Sequence, residues 1–181
     1  MIRIFLLNIF FFIPVWLLKL VYWKRRTPIR GRLLDIQSSI ILDLIPKSEL
    51  HKVSNNSIQK VRDLIIKQRT RYQLSLAPNS AVGKIDHFIE DKDTLLLREY
   101  IPKNIEKNKV VLFFHGGGYV LSSVETHDAM VSFIADNLGV KIFSLDYSLA
   151  PENKYPSALN EALAAYNWLI SMGYNSNQIS L

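Results

Sequence analysis

The residues of this chain best suited to chemistry are His115, Gly116, Gly117 and Gly118, followed by Tyr119 and Val120. They come straight after Val110-Val111-Leu112-Phe113-Phe114, a continuous apolar run of the kind that forms a buried strand. Backbone N–H groups in such a loop can be aimed at an oxygen that becomes negative as a tetrahedral intermediate forms. Glycine leaves the approach open and accepts unusual φ/ψ. A histidine at the strand end can fix the loop by hydrogen bonding. Taken singly, the three glycines also fit a flexible turn, and His115 fits a core histidine.

The elements that must position this loop alternate in type. Residues 84–90 and 94–101 read as short strands joined through Asp91 and Asp93. Lys109–Phe114 is a buried strand, Thr126–Leu138 a helix stopped by Gly139, and Val140–Leu145 a second buried strand. Pro156–Met172 is a helix with proline at its start and Gly173 past its end, and Ile179–Leu181 opens another apolar run. Strands alternating with helices predict an α/β fold with a mostly parallel sheet. Upstream, residues 33–45 place Leu33, Ile36, Ile40 and Leu44 near one helical face. Residues 57–74 predict a second amphipathic helix, with Ser57 as N-cap and Ile58, Val61, Ile65 and Tyr72 at helical spacing. Lys60, Lys67, Arg69 and Arg71 form its solvated basic face. Residues 75–83 read as a linker.

Composition narrows the class. The 181 residues are 49% hydrophobic and 21% charged, which is globular rather than disordered. The absence of cysteine excludes a disulfide scaffold, a thiol nucleophile and cysteine-based metal sites. The net charge of +6 is concentrated at one end. Residues 1–32 carry seven basic groups and no acid, whereas residues 33–181 carry 15 basic and 16 acidic groups. A cationic body of the kind that grips nucleic acid is therefore excluded. A metal site from His115, His127 and Asp128 has weak support, because Thr126 and Asp128 are explained by capping and the helix dipole.

Residues 2–23 are almost wholly apolar and aromatic. As one helix they would reach about 33 Å, close to the bilayer's hydrocarbon thickness of about 30 Å. The expectation is a membrane anchor over residues 1–23, spanning or interfacial, with Arg3 and Lys19 snorkelling and Trp16, Tyr22 and Trp23 near an interface. Rival readings are a signal sequence, although the first alanine is Ala77, and an apolar lid helix. Lys24, Arg25, Arg26, Arg30 and Arg32 would keep the following domain cytoplasmic. The alternative is a soluble cytoplasmic protein.

Further residues complete an ordered set. Thr126-His127-Asp128 precedes Asp146-Tyr147-Ser148-Leu149-Ala150-Pro151-Glu152 and Pro156-Ser157-Ala158-Leu159. With the His-Gly-Gly-Gly loop, this order resembles the hormone-sensitive-lipase branch of the α/β-hydrolase fold over residues 84–181. Residues 24–83 match only as a helical cap region. The resemblance implies carboxylic ester hydrolysis of a small ester or lipid through an acyl-enzyme, with no cofactor and no metal. It implies that Gly117 and Gly118 donate to the oxyanion, that Gly116 lets the loop fold, and that His115 holds it. Tyr119 would line the substrate pocket, and Asp146 and Glu152 would brace the site. Ser148 stands where the family has arginine, so that arginine's ion pair is missing. No Gly-x-Ser-x-Gly nucleophile elbow occurs in residues 1–181, and His51, His87, His115 and His127 all precede the strand that would lead to one. The expectation is an N-terminal half of such an enzyme, truncated before the elbow and inactive alone. A non-catalytic binding protein and a membrane-anchored interaction protein are the rival readings.

Overall fold

The computed structural model describes residues 13–22, 31–44, 58–76, 82–89, 95–105 and 108–181. The chain divides into two compact units, Met1–Ser54 and Asn55–Leu181.

In the first unit, α1 (Val15–Tyr22) packs on α2 (Ile36–Leu44). Proline has no N–H to continue a preceding helix but suits a first turn. Accordingly α1 starts just after Pro14, whose carbonyl accepts from the Leu17 and Leu18 amides at 2.9 and 3.3 Å. The single helix expected over 2–23 is therefore not formed: residues 13 and 14 are non-helical, and residues 2–12 and 23 lie outside the described residues. Among the described residues, no helix is long and apolar enough to cross a membrane. Asp35 opens α2, its carboxylate accepting from the Ser38 amide at 2.9 Å. Leu18 and Ile36 are buried, and Ile13, Tyr22 and Ile40 pack against them. Leu33, expected on that apolar face, precedes the helix and is exposed.

The second unit begins with α3 (Ile58–Leu76), which extends two residues past its expected end at residue 74 and into the expected linker; Ser57 lies outside the described residues. Five strands follow: β1 (Gly83–Ile89), β2 (Leu95–Ile101), β3 (Val110–Phe114), β4 (Lys141–Leu145) and β5 (Ile179–Ser180). Their order in the sheet is β1-β2-β4-β3-β5. β1 pairs antiparallel with β2, and β2 antiparallel with β4. β3 pairs parallel with both β4 and β5. The sheet is thus mixed rather than mostly parallel, because the β1–β2 hairpin turns back on itself before the first helical crossover. The Asp91 and Asp93 turn lies outside the described residues.

Two helices cover opposite faces. Leu97, Leu112, Phe143 and Leu145 share one buried cluster with Ala165 and Leu169 of α5 (Ser157–Ser171). Tyr100 and Ile142 share the other with Val131 and Ala135 of α4 (Val124–Leu138). Alternate residues of β2 and β4 point to alternate layers, as a strand buried on both faces requires. α4 starts two residues before its expected boundary. Ser123 is its N-cap and Thr126 the reciprocal partner of a capping box, so Thr126 lies inside the first turn.

Candidate active site

The parallel register of β3 and β4 sets Phe114 against Leu145, so the next residues, His115 and Asp146, leave the sheet side by side. This is the carboxyl end of the parallel strands, where open α/β sheets bind ligands. His115 is buried, stacked on the Tyr147 ring at 4.2 Å between centroids, and its Nδ1 donates to the Gly116 carbonyl at 3.1 Å. The Tyr147 hydroxyl donates to the His115 carbonyl at 2.7 Å. His115 Nε2 lies 3.8 Å from the Asp146 carboxylate. The histidine thus fastens the strand end from both its ring and its backbone.

Past His115 the chain turns sharply. The Gly117 carbonyl accepts from the Val120 and Leu121 amides at 3.2 and 3.1 Å. Gly117 has φ +144°, and a Cβ built there would overlap the Leu121 carbonyl. Gly118 has φ +63° with open space around it. Neither the Gly117 nor the Gly118 amide donates to a backbone carbonyl of another described residue. Tyr119 and Ser122 also take positive φ, an unfavourable conformation for side-chain-bearing residues that here marks a tightly held loop. Tyr119 is 68% exposed beside the loop, its ring 6.0 Å from that of Tyr147.

Asp146 accepts from the Val124 amide at 3.0 Å, placing a carboxylate at the N-terminus of α4. Burial pushes its carboxyl above the usual range, partly offset by that bond. Thr126 and His127 lie behind the loop, and the His127 ring is 5.7 Å from that of His115. Asp128 faces elsewhere: it pairs with Lys84 at 2.6 Å and accepts from the Tyr100 hydroxyl at 3.1 Å. His115, His127 and Asp128 therefore do not converge as metal ligands.

Glu152 stands apart from His115 and meets a partner that sequence reasoning missed, Arg62 of α3. The guanidinium forms a fork on the Glu152 carboxylate with both distances 2.9 Å, and holds that carboxyl below its usual range. It also donates to the Val120 carbonyl at 2.8 Å and the Ala150 carbonyl at 2.7 Å. The signal was present: Arg62 falls four residues after Ile58 and one after Val61, on the stripe read as apolar, where a cation needs a partner. The Ser148 amide donates to Glu161 at 2.6 Å.

Residues 111–181 match the family model described as alpha/beta hydrolase fold. The chain is 34% identical to an arylesterase of Saccharolobus solfataricus over 113 residues, which is 61% of this chain and 34% of that protein. It is 46% identical to the hormone-sensitive lipase of Mus musculus over 61 residues, 34% of this chain and 8% of the lipase. The solved structure of the Francisella virulence factor BioJ superposes with a TM-score of 0.65 at 31% identity, covering 77% of this chain and 47% of that one. The chain spans about a third or less of these curated relatives and a little under half of the solved structure. It carries the α/β-hydrolase fold, with its sequence kinship among esterases and hormone-sensitive-lipase-like proteins.

Proposed function

We propose that this chain supplies the oxyanion-stabilising half of a serine carboxylic-ester hydrolase acting on a small ester or lipid. In a protein that continues through a Gly-x-Ser-x-Gly elbow and a catalytic histidine, the serine gives its proton to that histidine as it attacks the ester carbonyl, and the carbonyl oxygen becomes negative. The Gly117 and Gly118 amides donate to that oxygen. The C–O bond then breaks, the alcohol leaves with a proton from the catalytic histidine, and water hydrolyses the acyl-enzyme. One observation carries this reading above the others: the Gly117–Gly118 turn, its amides not engaged by backbone carbonyls among the described residues, stands at the carboxyl end of β3, the strand that β5 flanks in parallel. In this reading Tyr119, exposed beside the loop, lines the substrate pocket. Residues 1–181 alone hold no elbow and are proposed to be inert.

The test is ester turnover with a short-chain nitrophenyl ester, together with fluorophosphonate labelling. A protein that includes the elbow turns over and labels on one serine, and residues 1–181 do neither. A full-length protein that binds esters without turnover or labelling would replace this reading with a non-catalytic binding role.

A bilayer association belongs to the same proposal, in an interfacial form. α1 turns Leu18 and Tyr22 toward α2 and leaves Val15, Trp16, Leu17 and Leu20 exposed. An apolar face with tryptophan, in a segment with seven cations and no acid, suits an anionic cytoplasmic leaflet.

A further inference from the structure

We propose that Arg62 is a positioning residue for ester hydrolysis, one that sets the oxyanion loop through its carbonyl bonds and makes α3 part of the reacting geometry. The proposal rests on the ester-hydrolase reading. A guanidinium has five N–H donors in a fixed plane. Here Nε donates to the Val120 carbonyl, Nη2 to the Ala150 carbonyl and Glu152, and Nη1 to Glu152 and, at 3.4 Å, to Gln59. The side chain is only 12% exposed. Apart from Gln59 of its own helix, its acceptors lie on two separate loops, and those loops are themselves joined beside it, the Ala150 amide donating to the Tyr119 carbonyl at 2.8 Å.

The consequence follows from the turn. The Val120 amide bonds back to the Gly117 carbonyl, while the Val120 carbonyl is held by Arg62. Both sides of Val120 are therefore pinned, and the Gly117–Gly118 segment cannot rotate freely between His115 and Val120. The Glu152 contact adds little, because Glu152 is more than half exposed and exposed ion pairs are weak. The two carbonyl bonds carry the positioning. Lysine keeps the charge and the stem but lacks the planar fork needed to reach both carbonyls.

The experiment compares Arg62→Lys, Arg62→Ala and Glu152→Gln in the full-length protein. It measures kcat and KM for a nitrophenyl ester and amide hydrogen exchange across residues 117–122. Both Arg62 variants are expected to lower kcat by about 10- to 100-fold, the scale of a misplaced catalytic group. KM should stay within about threefold, and exchange at residues 119–122 should quicken by about tenfold. Glu152→Gln should stay within about threefold of wild type in every measure. Arg62→Lys serves as the decisive variant if Arg62→Ala fails to fold. Arg62 variants with lower stability but wild-type kcat and exchange would overturn the proposal, leaving Arg62 as a structural contact. A wild-type protein without ester turnover would sink the hydrolase reading separately, with the exchange data still deciding whether Arg62 holds the loop.

Discussion

At the scale of the residue, two neighbouring glycines make different demands. Gly117 needs both its φ of +144° and the missing Cβ, because the Leu121 carbonyl occupies that space. Gly118 needs only its φ of +63°. In the full-length protein, Gly117→Val should lower kcat by roughly 10²–10³, the scale of a lost oxyanion donor. Gly118→Ala should fold, at a cost of about 1 kcal/mol for the left-handed conformation. Steady-state kinetics and urea unfolding separate the two, and a Gly117→Val protein with wild-type kcat would place the donors elsewhere. The His-Gly-Gly-Gly loop was legible because one strand and four consecutive residues state it. That Arg62 needs a partner was legible from its place on the apolar stripe, but which partner was not, because its acceptors beyond α3 lie 58 to 90 positions away and two of them are backbone carbonyls, which leave no trace in a sequence.

At the scale of the element, the β1–β2 hairpin is tied to β4 by charge. Glu99 of β2 is buried, accepts from His87 of β1 at 2.9 Å, and pairs with Lys141 of β4 at 2.8 Å. Burial alone would raise its carboxyl, but the Lys141 and His87 bonds together outweigh it and leave it below its ordinary value of 4.5. The folded protein then binds this proton less readily than the unfolded chain. The stabilisation is complete above pH 4.5 and fades as pH falls through the lowered value. Glu99→Gln should lose about 2 kcal/mol at pH 7, the scale of bonds to a charged group. Its stability should also fall less steeply between pH 5 and pH 3. Urea midpoints across that range decide the matter: wild-type and variant curves that run parallel would remove Glu99 as the titrating group. The strands and helices of this half were legible from apolar runs and from glycines at the helix ends. Their order was not. Apolar runs identify β2 and β4 as strands, but only three-dimensional packing inserts β4 between β2 and β3.

At the scale of the whole molecule, the chain joins two bodies with different surfaces. Met1–Ser54 carries the exposed apolar face of α1, and Asn55–Leu181 carries the hydrolase sheet. The protein should co-sediment with vesicles containing phosphatidylserine more strongly than with phosphatidylcholine alone. Replacing Trp16, Leu17 and Leu20 together by serine should weaken that binding at least about tenfold, since burial of apolar area drives interfacial docking. Equal sedimentation of the triple variant would show that α1 does not make the contact. The apolar character of residues 2–23 was legible from composition. That residues 13 and 14 are non-helical, so that 2–23 is not one continuous helix, is a backbone matter that hydropathy averages away.

The parallel register beside β3 also fixes distances along the sheet. On one side of the described sheet lies β1, a largely exposed strand whose Lys84 and Asp86 are held in ion pairs with Asp128 and Arg98. On the other side, β5 matches only Val110 and Val111 of β3, through Ile179 and Ser180. A parallel partner extended in that register comes level with His115 after about four more residues, or about 13 Å of strand. The pairing of two residues thus works as a ruler, delivering the end of any such strand to the mouth of the glycine loop.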